Sequence, residues 1–194
     1  MTNSTANFSN LRIRTGTELR KYAPQMILVG LVILFTIISP NFMTSRNLII
    51  LIRQVSFAAI SAVGVGFVMI SGGIDLSIGS QIVMTNVVLS IMMAYWNVPM
   101  GIAIPLTLLL GTTLGLINGL LSVTLNVHSL IITLGTASIY KGLGYIFAQS
   151  RNIMGFPDAF RWFGQGYIGP IPVPIIIMII IALIGSFILT KTYF

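Results

Sequence analysis

The chain has 194 residues, of which 56% are hydrophobic and only 7% are charged. Such a chain cannot cover its apolar surface within a soluble core of its own, so the composition predicts an all-α, polytopic membrane protein. The formal net charge of +7 comes from scattered basic residues, which argues against a nucleic-acid-binding patch. The sequence has no cysteine and a single histidine, which excludes a disulfide framework and leaves no cluster for a metal centre.

Residues 1–21 are polar and basic, and we expect them to form a cytoplasmic N-terminal tail because basic residues collect on that side of the membrane. Residues 22–194 are predicted to form one transmembrane domain, a helical bundle of about six spans. The spans are expected at about 22–39, 48–70, 77–95, 100–125, 130–148 and 173–189. Six crossings return the C-terminus to the cytoplasm and place the long polar segment 149–172 outside.

The second and third spans meet at a polar decapeptide, SGGIDLSIGS, at residues 71–80. Gly72 and Gly73 are expected to supply the φ > 0 conformations that end one helix, and Asp75 is expected to cap the next. In lipid, such a break is tolerated only where protein or a water-filled cavity surrounds it. Two roles stay open for Asp75, which is one of only three acidic residues: a helix cap near the membrane surface, or part of a transport path.

Further polar residues lie within the predicted spans. Ser77, Gln81 and Asn86 fall in the third span and Asn118 in the fourth, and together with Asp75 they are our candidates for lining a substrate path. For Asn118, a hydrogen bond to a neighbouring helix is the competing role. Two runs of small residues at four-residue spacing predict close helix packing; they are Ala58, Ala62 and Gly66, and Gly111, Gly115 and Gly119.

Charged residues near the predicted outer face form a second group of candidates. Arg53 lies near the outer end of the second span, where its side chain is expected to snorkel to the interface. The segment 149–172 mixes arginines, an aspartate, aromatic residues, glycines and prolines, and we expect an ordered loop that is long enough to contact a partner.

Four separated motifs resemble, in the right order, the membrane permeases of sugar-type ABC importers, in the ribose and simple-sugar branch. They are SPNFMTSRNL at 39–48, SGGIDLSIGS at 71–80, GLINGL at 115–120 and TLGTASIYKGLGY at 133–145. The resemblance covers nearly everything after the N-terminal tail. Family permeases are longer, so the chain resembles their N-terminal part and is C-terminally incomplete relative to them. One departure is Asn126-Val-His128, where the family often has a turn with proline.

The resemblance implies a multi-pass subunit of the bacterial inner (plasma) membrane that imports a simple sugar. Its partners would be a second permease chain, identical or different, a cytoplasmic ATP-binding subunit and an external sugar-binding protein. Arg151, Arg161 and Trp162, in the outer segment, are the candidate docking residues for that binding protein. The sequence has no GxxxxGK[ST] phosphate loop, so we expect ATP to bind to the separate subunit, with no cofactor in this chain and no enzymatic activity.

An ion-coupled secondary transporter or channel is the alternative function, since such carriers also build their sites from broken helices with acidic residues. A coupled carrier usually needs more than one buried ionisable group, however, and the sequence shows no acidic companion for Asp75. An intramembrane enzyme is less well supported, because the sequence has no Ser/His/Asp set, no paired carboxylates and no HExxH motif.

Overall fold

The computed structural model describes residues 22–192, so the predicted cytoplasmic tail, 1–21, lies outside the described residues. The chain divides into two compact units, Met1–Leu51 and Ile52–Phe194. In the first unit, helix α1 (Tyr22–Ile38) is followed by a turn and by the start of helix α2 (Ser45–Ile70).

The turn between α1 and α2 is fixed by local polar contacts. Asn47 donates from its side-chain amide to the Phe42 carbonyl at 2.7 Å. The Thr44 hydroxyl oxygen accepts from the Asn47 backbone N–H at 3.4 Å, which is the contact expected of a residue capping a helix N-terminus. The rings of Phe35 and Phe42 lie 5.7 Å apart and close the turn on its apolar side. These contacts form a short turn in the interval between the first two predicted spans.

The second unit carries the rest of α2 and all later elements. These are α3 (Ile78–Ala94), α4 (Met100–Leu125), α5 (Ser129–Phe147), α6 (Asp158–Gln165), β1 (Tyr167–Ile168), β2 (Ile171–Pro172) and α7 (Val173–Lys191). The two strands pair antiparallel, with Tyr167 opposite Pro172. The segment 149–172, which we predicted as a loop, therefore contains a short helix and a hairpin.

Four helices are long and apolar enough to cross a membrane: α2, α4, α5 and α7, with 19 to 26 residues each. The helices α1 and α3 are apolar but shorter, so the predicted count of six spans is approximate. α3 has 17 residues, or about 25 Å at 1.5 Å per residue, which is less than the ~30 Å hydrocarbon core of a bilayer. It is short because residues 71–77 leave the helical conformation. The prediction of an all-α, polytopic membrane protein is confirmed.

Helices α3, α4 and α5 pack against one another and form the best-buried part of the second unit. Met84, Leu114 and Tyr140, one from each helix, make one buried cluster. Met92, Met93 and Ala103 make a second cluster, against which Phe160 of α6 packs. This three-helix core positions the polar groups of the candidate site.

The small-residue runs behave differently from our prediction. A Cβ added at Gly111 would lie 3.6 Å from the Thr85 side chain, so α3 and α4 approach closely there. Among the residues that the structure describes, nothing lies within 4 Å of a Cβ added at Gly66, Gly115 or Gly119. The close packing predicted for these three glycines is therefore not made within the described part of the chain.

Two glycines that we did not single out make closer helix contacts. A Cβ added at Gly185 of α7 would lie 2.8 Å from Val63 of α2, and one added at Gly144 of α5 would lie 3.3 Å from Val83 of α3. A Cβ at 2.8 Å could be accommodated only if a neighbouring atom moved. The absence of a side chain at Gly185 therefore allows α7 to lie close to α2. The spacing of small residues thus predicted the glycine contact at Gly111, but not the closer contacts at Gly144 and Gly185.

Candidate functional site

The site begins where α2 ends. The Gly72 N–H donates to the Met69 carbonyl at 3.1 Å and the Gly73 N–H to the Val68 carbonyl at 3.0 Å, which is the Schellman arrangement of a helix C-terminus. Gly72 has φ = +82°, as predicted. Gly73 does not have a positive φ, so the prediction was wrong for this residue, because one left-handed residue is enough to complete the motif.

Asp75 does not cap α3 as we expected. The residue that precedes the helix is Ser77, and its side chain makes no capping hydrogen bond. Asp75 Oδ1 instead accepts from the Ser77 backbone N–H at 2.7 Å, two residues along the chain. An aspartate often folds a turn by bonding to the backbone two residues on, and Asp75 therefore shapes the turn before the helix.

The Ser77 hydroxyl is the centre of the polar site. It is fully buried and donates to Asp75 Oδ1 at 2.6 Å. It also accepts from Gln81 Nε2 and from Asn118 Nδ2, both at 2.7 Å. A hydroxyl has one hydrogen to donate and two lone pairs, so every hydrogen-bonding position of Ser77 is used. Ser77 thus joins the turn, α3 and α4 in one network.

The network extends to α5 through a residue that sequence reasoning missed. The Tyr140 hydroxyl lies 3.1 Å from both Asn118 Oδ1 and the Leu114 carbonyl. A signal for Tyr140 was present, since Thr133, Thr136 and Tyr140 recur at the spacing of one helix face, and all three are buried. That face of α5 turns toward α3 and α4.

The structure brings together four of the five residues predicted to line a path. Asp75, Ser77, Gln81 and Asn118 share one network, in which Gln81 Nε2 also lies 3.2 Å from Asp75 Oδ2. Asn86 is exposed elsewhere on α3. It follows Gln81 by five residues, which is a rotation of about 140° around the helix, so the two side chains lie on different faces.

The start of α5 satisfies the non-helical backbone of the break. The Ile74 N–H donates to the Ser129 hydroxyl oxygen at 3.0 Å, and the Leu76 N–H donates to Thr133 Oγ1 at 3.2 Å. The Thr133 hydroxyl is also 3.3 Å from the Ile74 carbonyl. Unpaired backbone groups are costly in a membrane, and these two side chains replace the partners that a continuous helix would supply.

A cavity of about 330 Å³ adjoins the break. Its polar lining comes from Ser71, Asp75, Asn118, Ser122, Ser129 and Thr133. Gly115 and Gly119 form part of the wall, so the glycines of α4 border this space. Among the described residues, Asp75 Oδ2 has a single contact, to Gln81 at 3.2 Å, so this oxygen can accept a further hydrogen bond.

The candidate docking residues lie in the segment between α5 and α7. Arg161 and Trp162 are on α6, and Arg151 is exposed in the turn that follows α5. Arg161 Nη1 lies 3.4 Å from Asp158 Oδ1, and both side chains are largely exposed, so this ion pair contributes little to stability. Trp162 is 44% exposed and meets Phe163 edge-on at 5.5 Å.

The helices and the polar break define a polytopic helical membrane protein with a hydrogen-bonded interior site. The family model for the permease component of branched-chain amino acid transport systems matches residues 47–194. The chain belongs to this permease family. No solved structure matches it.

Individual relatives agree with the resemblance seen in the sequence. The chain is 36% identical to the ribose import permease protein of Haemophilus influenzae, covering 99% of the chain and 59% of that protein. It is 34% identical to the D-allose transport system permease protein of Escherichia coli K12, covering 88% and 53%. It is also 34% identical to an autoinducer 2 import system permease protein of Enterobacter sp. strain 638, covering 80% and 49%.

The chain therefore spans about half the length of the curated relatives it matches. The predicted resemblance to permeases of sugar-type importers is confirmed. These relatives are transport permeases of bacteria, and the apolar helices agree with a multi-pass protein of the inner membrane.

Proposed function

We propose that the chain is part of the membrane-spanning permease of an ATP-driven importer and contributes to the path of a simple sugar. The observation that carries this proposal is the cavity beside the α2–α3 break, where a carboxylate, an amide and several hydroxyl groups converge. Sugars present many hydroxyl groups that both donate and accept hydrogen bonds, so such a lining suits them. The ribose and allose permeases among the relatives support the same substrate class.

Within this network the residues are expected to divide their roles. Ser77 has no hydrogen-bonding position left for a substrate, so it would hold the other groups in place. Asp75 and Asn118, which line the cavity, are the groups that we expect to meet a sugar hydroxyl. Gln81 would restrain the second oxygen of Asp75.

The proposed importer includes further components. ATP would be bound and hydrolysed by a separate cytoplasmic subunit, so this chain would hold no cofactor and catalyse no reaction. A second permease chain, the same or different, would complete the membrane channel. An external sugar-binding protein would dock at the segment 149–172, where α6 carries an amphipathic sequence with an exposed tryptophan and arginine.

Uptake by cells that express the permease with its ATP-binding subunit and binding protein tests the proposal, with labelled ribose and allose as probes. We expect Asp75→Asn to be mild, because the asparagine Oδ1 can still accept both hydrogen bonds from Ser77. Asp75→Leu loses both and should reduce uptake about tenfold or more, at about 1 kcal/mol for each lost hydrogen bond. Asn86→Leu, outside the network, is the comparison variant and should retain uptake.

Each alternative has its own outcome in this experiment. If Asn and Leu at position 75 both abolish uptake while the protein still reaches the membrane, the negative charge is required and the ion-coupled transporter becomes the better function. If Asn86→Leu is as damaging as Asp75→Leu, the path runs along more than one face of α3. If the complete permease takes up neither sugar, ribose and allose are excluded as its substrates.

A further inference from the structure

We propose that Arg53 is a positioning residue that holds the docking surface of the outer segment in place. The outer platform is defined here as α6 together with the β1–β2 hairpin, residues 158–172. This inference rests on the proposed function, because it concerns the surface at which the external binding protein would dock. Arg53 itself would not touch the binding protein.

Arg53 joins α2 to both parts of the outer platform. Its Nη2 donates to the Gln165 carbonyl at 2.9 Å, and Gln165 is the last residue of α6. Carbonyls at a helix C-terminus lack partners within the helix and carry the negative end of its dipole, so a cation is well placed there. The guanidinium carbon also lies 4.7 Å from the centre of the Tyr167 ring on β1, within the range of a cation–π interaction.

The sequence predicts that the Arg53 side chain snorkels to the interface. In the structure the side chain is half-buried, and its Nε is buried with no hydrogen-bond partner among the described residues. A charged residue in a membrane-spanning helix is costly, and an unpaired buried donor adds to that cost. The contacts to Gln165 and Tyr167 are the described interactions that offset this cost. The conformation of the Arg53 side chain therefore depends on the outer platform.

A groove separates part of α6 from the helices beneath it, so contacts at other points must hold the outer platform in place. A groove of about 440 Å³ lies between α6, α2 and α7, lined by Phe57, Ile60, Phe160, Phe163, Pro174 and Ile177, among others. An eight-residue helix is not stable by itself in water. Phe160 anchors the first half of α6 against the α3–α4 cluster, and Arg53 holds its last residue.

With both ends held, α6 presents Arg161 and Trp162 at a fixed angle. A surface that is already ordered binds more tightly than a mobile one, because the entropy of ordering is not lost during docking. Removal of the Arg53 contacts should therefore leave the chemistry of the platform unchanged and make its C-terminal half mobile. Docking of the binding protein should weaken, by about three- to tenfold.

The absence of native cysteine allows a direct measurement of platform mobility. A spin label at Gly164→Cys, in the protein reconstituted in lipid nanodiscs, reports on the end of α6 that Arg53 contacts. Arg53→Gln should sharpen the spectrum, and Arg53→Lys should be intermediate, since an ammonium cannot match the planar guanidinium at both contacts. Arg46→Gln is the matched control because it removes the same charge from the same helix, and it should leave the spectrum unchanged.

The second measurement is the affinity of the cognate sugar-binding protein for the same variants without the label. We expect Arg53→Gln to bind about three- to tenfold more weakly than the unaltered protein, and Arg46→Gln to bind normally. An unchanged spectrum in Arg53→Gln would overturn the positioning role. If Arg53→Gln makes the outer platform mobile but leaves the affinity unchanged, the proposed effect of Arg53 on docking is wrong. If the unaltered protein does not bind, the docking part of the proposed function fails, and the spin-label measurement alone decides whether Arg53 holds the platform.

Discussion

Substitution of Ser77 by alanine tests whether the buried network holds α3 to α4. In Ser77→Ala, the Asn118 Nδ2 group loses its described acceptor, the Ser77 hydroxyl. Asn118 is only 4% exposed, so water does not readily replace that acceptor. Gln81 keeps its contact with Asp75. A buried donor without a partner costs about 1–3 kcal/mol in soluble proteins. In membranes, measured couplings of interhelical hydrogen bonds average about 0.6 and reach about 1.7 kcal/mol, because the unfolded chain also finds partners there. We expect a coupling energy within the membrane range.

The assay is a double-mutant cycle of Ser77→Ala and Asn118→Leu, with the free energy of unfolding measured by titration with sodium dodecyl sulfate in mixed micelles. Ser90→Ala is the matched control on the same helix. Ser90 is 5% exposed, and within the described part of the chain its hydroxyl donates only to the Asn86 carbonyl of its own helix, so its removal should cost less than about 0.5 kcal/mol. A coupling energy of zero, or an equal loss for Ser90→Ala, would refute the central role of Ser77.

Three further predictions concern the break and the outer segment. Gly72→Ala should lower the free energy of unfolding in the same titration by about 1–2 kcal/mol, because a φ of +82° is strained for any residue with a Cβ. Gly79→Ala is the control, since a Cβ there meets open space, and it should be neutral or slightly stabilising. In intact cells, an impermeant thiol reagent should label a cysteine at Gly164 and not one at Thr190; the reverse pattern would contradict the predicted orientation. Charge reversal at Arg161 should weaken docking of the binding protein most at low salt, and equal binding at all salt concentrations would remove Arg161 from the interface.

The polar break could be predicted from sequence because polar residues are rare in this chain. A glycine pair followed by one of three acidic residues stands out between two apolar runs, and Ser77 and Gln81 share a helix face at four-residue spacing. The same periodicity excludes Asn86, which is nine residues beyond Ser77 and about 180° around the helix. Our prediction grouped the three by composition, so it included Asn86, which lies outside the hydrogen-bonded network.

The structure of the segment 149–172 could not be predicted in the same way. α6 has only eight residues, too few for periodicity to distinguish a helix from a loop. Its stability depends on tertiary contacts, among them Phe160 against the α3–α4 cluster and Arg53 at the last carbonyl of α6. Arg53 lies more than a hundred residues earlier in the chain, and no local pattern links the two.

Asp75 shapes the turn before α3 instead of capping the helix, and this structural role is compatible with the proposed role in a transport path, because the two would fall on different atoms of one carboxylate. Oδ1 accepts two short hydrogen bonds from Ser77 and fixes the turn between the helices. Oδ2 has one longer contact, to Gln81, and the residue lines the cavity. Because Oδ1 is held by Ser77, the position of Oδ2 is also fixed, which the proposed role in binding requires. Asparagine keeps an Oδ1 acceptor for Ser77 but replaces Oδ2 by an amide nitrogen that donates, so it changes the second role while it preserves the first.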